Sequence, residues 1–341
     1  MNRREFLKLG LTLAIGGFAM SANAAQVPQR IDFHAHAILP SYVDALKHLG
    51  IDAATEEGFP LPKWNVEEHL QFMSDAGIDF TILSPATPHI SDTSAARAIN
   101  EEFADLCRRF PNKFAFVALL PLPNVEGSIE EFHYATEKLG ALGVKVASNS
   151  DGVYLGDERL NPIFAALNEK SSLVIIHPSP ARSLPRNVVV TGKVMALFEY
   201  PADTTRAVLN MLACGTLEKF PRLKVVVPHC GSFLPYMKQR AGAMFQMLAS
   251  MNLMEPVNFA ASFERLFFDT AGDPMPEQFD MLLKVASLEQ IIFGTDYPYV
   301  PAKVVLGRKK LFDDELARRG LTDKIYTVNA LNLLSFGGER K

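Results

Sequence analysis

An α/β chain folded as a (β/α)8 barrel is what the sequence predicts, and three observations predict it. Short apolar runs alternate with amphipathic stretches from Ile31 to the C-terminal region, and eight of the runs read as strands. Five stretches that follow such runs are rich in histidine or aspartate: Asp32-Phe33-His34-Ala35-His36, Ile175-Ile176-His177-Pro178, Pro228-His229-Cys230-Gly231, Asp269-Thr270-Ala271 and Phe293-Gly294-Thr295-Asp296. Side chains that end separate strands meet only where those strands share one sheet, and a barrel gathers them at one mouth. A doubly wound open sheet is the competing architecture. It lacks support, because no Gly-rich fingerprint follows the first strand and an open sheet would scatter the five stretches.

Ahead of the barrel, Arg3-Arg4-Glu5-Phe6-Leu7-Lys8 leads into the uncharged run Leu9 to Met20 and the small-residue pattern Ala22-Asn23-Ala24. Residues 1–24 therefore read as an export signal. The paired arginines resemble the twin-arginine type, which delivers folded protein to the periplasm. The apolar run is short and glycine-broken for a bilayer span, and an uncleaved anchor is the alternative. Residues 25–341 are expected to form one domain.

Ile31 to His36 is the first strand, followed by a long segment at 37–64 punctuated by proline and glycine, which suggests a functional loop containing a short helix. Asn65-Val66-Glu67-Glu68 carries a helix-start signature, Val66, Leu70 and Met73 fall on one stripe, and Gly77 ends that helix. Strands are expected at Ile78 to Ser84, Phe114 to Leu120, Ala141 to Val146, Leu173 to Ile176, Leu223 to Val227, Phe263 to Phe268 and Ile291 to Phe293. Helices between them are expected at Ala95 to Phe110, Ile129 to Leu139, Asn161 to Lys170, Thr204 to Leu217 and Phe279 to Ala286. The continuous apolar runs, such as Leu173-Val174-Ile175-Ile176, suit strands covered on both faces.

The chain has 34 basic and 38 acidic residues, and loss of the leader would take the formal charge from -4 to -6. No basic block remains to follow a phosphate backbone, so nucleic acid is excluded as an expected partner. Cys107, Cys214 and Cys230 show no zinc-knot spacing, and all three are read as buried thiols.

His34-Ala35-His36 after strand one, His177 after strand five, His229 after strand six and Asp296 after strand eight resemble the amidohydrolase superfamily. More narrowly, the chain resembles its nonoxidative decarboxylases of aminocarboxymuconate semialdehyde, resorcylate and methylsalicylate. The likeness runs from Ile31 to about Phe336 and includes Leu155-Gly156-Asp157, Phe198-Glu199-Tyr200-Pro201 and Gly294-Thr295-Asp296-Tyr297-Pro298.

Strand geometry agrees with a metal site. Positions two apart face the same way, so His34 and His36 point together into the mouth while Phe33 is expected to pack outward. With His177 and Asp296 they offer three imidazole nitrogens and a carboxylate to one divalent ion, zinc as the first expectation and manganese as the second. Taken alone, the His34-His36 pair would equally suit structural polar residues at a strand end.

The resemblance implies further roles. His229 would stand outside the ligand set as a general base on water or as a proton partner of the substrate, and Asp296 would both bind metal and shuttle a proton. Lys145 stands where some superfamily members carbamylate a lysine to bridge two metals. The branch resembled here is mononuclear, which makes Lys145 structural or charge-balancing. Arg240, eleven residues beyond His229, matches an arginine that reaches toward the neighbouring subunit's substrate carboxylate, which implies a homodimer.

One departure bears on the substrate. Aminocarboxymuconate semialdehyde decarboxylases carry a substrate-facing arginine after strand one, whereas this chain has no arginine between Arg30 and Arg97, only Lys47 and Lys63. Tyr42, Phe59 and Trp64, with His89 after strand two, make a pocket better suited to a ring bearing one carboxylate. Methylsalicylate-type members have a similarly placed tryptophan; Trp64 also suits ordinary core.

The expected reaction is metal-dependent, nonoxidative decarboxylation of a small hydroxylated aromatic carboxylic acid. No organic cofactor is needed, because the ring itself serves as the electron sink. The rival is a hydrolase or hydratase acting on a lactone, ester or amide, with His229 activating water. A third class, a metal-binding or structural protein without turnover, is disfavoured by the complete set of donors plus the extra histidine.

Overall fold

The computed structural model describes residues 29–181 and 194–335, so the expected export segment at 1–24 lies outside the described residues. Eight barrel strands follow in order: β1 (Ile31–Ala37), β2 (Phe80–Pro85), β3 (Phe114–Phe116 and Ala118–Leu119), β4 (Gly143–Ala147), β5 (Leu173–His177), β6 (Lys224–Val227), β7 (Phe267–Asp269) and β8 (Ile291–Ile292). Each pairs with its neighbour in parallel. β3 is split at Val117, whose N–H still donates to Leu83 O, and its two halves join both parts of the sheet. The cylinder closes where Phe33 N donates to Phe293 O at 2.9 Å and His36 N donates to Tyr297 O at 2.7 Å. A parallel sheet closed in this way, with helices between its strands, is the expected (β/α)8 architecture.

Alternation sorts the apolar side chains into two layers. Ile31, Phe33, Phe80, Ile82, Ile175, Val226 and Ile292 meet inside the barrel in one cluster. Leu83, Phe116, Val174, Ile176 and Val227 face outward onto the helices. Phe33 is thus inside, contrary to the outward position expected for it. The cause is a bulge: the β1–β2 register shifts between Asp32 and Ala35, so Phe33 and the histidine pair turn to the same side.

The segment at 37–64 carries two short helices. Pro40–Leu49 starts on a proline and ends at Gly50, and Ala53–Glu57 is capped by the Asp52 side chain. Val66–Ala76 begins where Asn65 accepts a hydrogen bond from Glu68 N at 2.8 Å and ends at Gly77. The seventh strand starts later than expected. Asn258 caps a helix over Phe259–Phe263, so Phe263 ends that helix and only Phe267–Asp269 pairs in the sheet. Cys107 and Cys230 are buried, whereas Cys214 is exposed, because it caps the C-terminal end of Glu199–Ala213 at the surface.

Candidate metal centre

Each imidazole of the cluster is fixed by a bond at Nδ1. His34 Nδ1 lies 2.8 Å from Asp269 Oδ2, His36 Nδ1 lies 3.1 Å from Pro85 O, and His177 Nδ1 lies 3.1 Å from Pro178 O. Carbonyls and carboxylates only accept, so all three Nδ1 atoms carry the proton and all three Nε2 atoms present lone pairs. Ser84 Oγ, 2.9 Å from His36 Nδ1, shares that proton.

These lone pairs converge. His36 Nε2 and His34 Nε2 are 3.2 Å apart, and Asp296 Oδ1 stands 3.3 Å from the former and 3.5 Å from the latter. One donor atom from each of His34, His36, His177 and Asp296 lies within 4.8 Å of every other. Facing lone pairs beside a carboxylate repel unless a cation stands among them, and three nitrogens with one oxygen fit a divalent ion. Burial opposes protonation of His34, but the carboxylates of Asp269 and Asp296 outweigh it and raise the group to about 10. Burial, with the neighbouring charges of His34 and Lys145, pulls His36 down to about 4 and outweighs Asp296, while His177 is driven well below its ordinary value by burial and Lys145. Burial also works against ionisation of Asp296, yet His229, His34 and His36 hold it well below the usual carboxylate range.

Backbone geometry places the carboxylate. Thr295 N and Asp296 N both donate to His34 O, at 3.1 and 2.7 Å, so the turn after β8 is tied to the ligand strand. Asp296 and His229 both hold positive φ, 63° and 57°. Such backbone is uncommon away from glycine, and here it occurs at two of the chemically important residues. His229 Nε2 stands 3.7 Å from Asp296 Oδ2, and the two side chains are about one-fifth exposed, whereas His34 and His36 are sealed. The arrangement has a buried set of nitrogen donors and a solvent-facing His-Asp pair at its open end.

Other expected residues lie elsewhere. Arg240 is exposed on the helix Leu234–Ser250 and is not among the side chains that meet at Asp296. Trp64 is half-buried and donates its indole N–H to His69 Nδ1 at 2.9 Å. His89 is half-buried, with Nε2 3.1 Å from Leu122 O, and burial and the Lys145 charge lower it to about 4.

Three residues that hold the site carry no role in the sequence reading. Asp269 accepts from His34 through Oδ2 and from the amides of His229 and Ala271 through Oδ1, at 2.9 and 3.0 Å. Its stretch stands out in the sequence, but the bond it makes is visible only in the fold. Tyr299 packs edge-on to His36 with ring centroids 5.1 Å apart, and Glu57 is buried behind it. Nothing in the polar stretch Ala53–Glu57 distinguishes Glu57 from its exposed neighbour Glu56.

Known proteins resemble this chain over most of its length. A decarboxylase of Aspergillus niger, yanB, is 31% identical over 294 residues, which cover 81% of this chain and 79% of that protein. The 6-methylsalicylic acid decarboxylase of Penicillium expansum is 28% identical, with 81% and 87% covered. Among solved structures, an amidohydrolase II is 30% identical with a TM-score of 0.80, covering 90% of this chain and 99% of that one. The 5-carboxyvanillate decarboxylase of Novosphingobium aromaticivorans, 22% identical with a TM-score of 0.78 over 89% and 95% of the two chains, contains manganese and a nitrobenzoic acid. Zinc, the first expectation from the donor types, is corrected by that finding. Three imidazoles and one carboxylate, with no thiolate, do not select zinc by softness, and they leave positions open for an ion that prefers six ligands. The amidohydrolase family model matches residues 31–336, from the first residue of β1 to beyond the last described helix. With that match spanning the barrel and the ligand cluster at its mouth, the chain belongs to the amidohydrolase family.

Proposed function

We propose that the protein is a metal-dependent, nonoxidative decarboxylase of a hydroxylated aromatic carboxylic acid. The observation that carries this reading is the pairing of a buried nitrogen cluster with a solvent-facing proton pair, His229 and Asp296, 3.7 Å apart. The likeness to the decarboxylase yanB and to the decarboxylases of 6-methylsalicylic acid and 5-carboxyvanillate supports it. A manganese-type divalent cation held by His34, His36, His177 and Asp296 would draw in the substrate's carboxylate and neighbouring hydroxyl oxygens and support charge on the latter. Asp296, kept ionised by its histidines, accepts a proton from His229 and hands it to the ring carbon that bears the carboxylate. The bond to the carboxylate then breaks, its electron pair returns to the ring, and carbon dioxide leaves. The net change is one C–C bond exchanged for one C–H bond.

Arg240, exposed on its helix, is proposed to serve a neighbouring copy's substrate carboxylate in a homodimer, and Trp64 and His89 to shape the pocket wall. Residues 1–24 are proposed to direct twin-arginine export to the periplasm, on their sequence alone.

The test supplies manganese-loaded protein with salicylate-type acids and, separately, with lactones and esters, and follows carbon dioxide and the aromatic product together. Stoichiometric carbon dioxide is expected from a hydroxy acid. Ring opening of a lactone without it would move the reading to the hydrolase. His229→Ala is expected to keep the metal and lose about 100-fold or more in kcat; full turnover would remove His229 from the mechanism.

A further inference from the structure

The strap formed by residues 84–88 at the end of β2 lies beside the ligand cluster and is gripped by buried side chains. Lys145 Nζ donates to Pro85 O at 2.8 Å and to Ala86 O at 2.9 Å. Thr87 Oγ1 donates to Glu57 Oε1 at 2.8 Å. The Tyr299 hydroxyl accepts from Thr87 N at 2.9 Å and donates to Thr87 O at 2.8 Å. The same Pro85 carbonyl that binds Lys145 also accepts from His36 Nδ1. The carbonyl that orients a ligand imidazole is therefore held by an ammonium.

Lys145 and Glu57 are only 3% and 1% exposed, yet no direct ion pair joins them among the described residues. Two buried charged groups of opposite sign that do not touch are an expensive arrangement, so each must be stabilised through what it does hold. What they hold is one strap, from opposite ends. Burial lowers Lys145 to about 7 and raises Glu57 to about 7, each moderated by the other's charge. Two hydrogen bonds from Nζ to carbonyls require an amine, because a carbamate nitrogen has only one N–H. With both carbonyls within reach of Nζ, the Lys145 amine acts as a clamp. Glu57 ends the helix Ala53–Glu57, and Phe59, two residues on, packs against the Tyr299 ring at 5.9 Å. Two hydrogen bonds, from Thr87 to Glu57 and from the Tyr42 hydroxyl to Pro88 O at 2.8 Å, therefore tie the long segment after β1 to the strap that orients His36.

We propose that Lys145 and Glu57 are a positioning pair, clamping the Pro85–Thr87 strap so that the Pro85 carbonyl holds the His36 imidazole with Nε2 toward the metal. This rests on the metal reading above. It also makes a counterintuitive demand. By charge alone, removing an ammonium beside a cation site should tighten metal binding, whereas removing a clamp should loosen it.

The experiment titrates manganese into metal-stripped, full-length protein and reads the free ion by electron paramagnetic resonance. Lys145→Met and Thr87→Val are expected to weaken binding about 10-fold or more. Thr87→Ser, which keeps the hydroxyl, and Glu57→Gln, whose amide oxygen still accepts from it, are expected to stay within about threefold of the wild type. Unchanged or tighter binding by folded Lys145→Met overturns the proposal. If that variant does not fold, equal affinity of Thr87→Val and Thr87→Ser overturns it instead. Wild-type protein that binds no manganese would sink the metal reading and the pair with it; wild-type binding of one equivalent, matched by Lys145→Met and Thr87→Val, would sink the pair alone.

Discussion

Orientation at the metal centre is set by three hydrogen bonds, each on the far side of an imidazole from the ligand atom. Of these, only that of His34 ends on a carboxylate, and Asp269 serves it with one oxygen while its other oxygen accepts two amides. An asparagine has a single acceptor oxygen, so Asp269→Asn must turn an N–H toward either His34 or the two amides. Either outcome loosens His34 or the His229 turn. The expected result is a 10- to 100-fold loss of metal affinity, measured by titration against a competing chelator; affinity within twofold of the wild type would show that Asp269 does not set the tautomer. The four residues that the structure brings together, His34, His36, His177 and Asp296, stood out in the sequence because each follows a separate strand-like run or shares one with its partner. Their supports were not legible. Asp269 lies 235 residues from His34, and Glu57 is one of two adjacent glutamates with opposite fates. Trp64 illustrates the converse, since a residue type that suits a pocket wall spends its polar atom on His69.

At the scale of elements, the turn after β8 has to lie against β1 for Asp296 to reach the histidines. Gly294 allows it. A Cβ built there would lie 2.7 Å from His34 Cβ and 3.4 Å from the Cβ atoms of Ala271 and Asp269. Neither strand can retreat without breaking the closing bonds to Phe293 and Tyr297. Gly294→Ala is expected to cost about 1–3 kcal/mol by overpacking and to lower metal affinity at the same time. Thermal unfolding of the metal-free variant separates the two effects, and wild-type stability together with wild-type affinity would refute the close-approach argument. The glycine was legible as part of a motif, but its reason is a contact between the two ends of the barrel. Element boundaries followed the same logic. Helix starts with a side-chain cap, such as Asn65, could be read from local chemistry, whereas the start of β7 could not, because Phe263 is apolar in either a helix or a strand.

For the whole molecule, alternation of apolar runs with helices was enough to predict eight parallel strands, since each strand is covered on both faces. The closing seam was less visible, because β8 pairs over only Ile291–Ile292 and the bulge in β1 has no local signature. That seam is where a bound ion would act on stability. His34 and His36 come from β1 and Asp296 from the turn after β8, and His177 stands at the end of β5. An ion shared by all four ties the seam to β5, and in the unfolded chain these donors are dispersed. Binding to the native state alone adds about 2.7 kcal/mol at a free-ion concentration about 100 times Kd. For roughly 300 residues, with about 2 cal/mol/K of unfolding entropy each, that corresponds to a Tm change of about 4 °C. Chelation of manganese-loaded protein should therefore lower Tm by about that amount, and His177→Ala, which loses the β5 donor, should show little further loss on chelation. An equal drop in His177→Ala would mean that the chelator acts elsewhere. No drop in the wild type would mean that the four donors do not hold an ion across the seam.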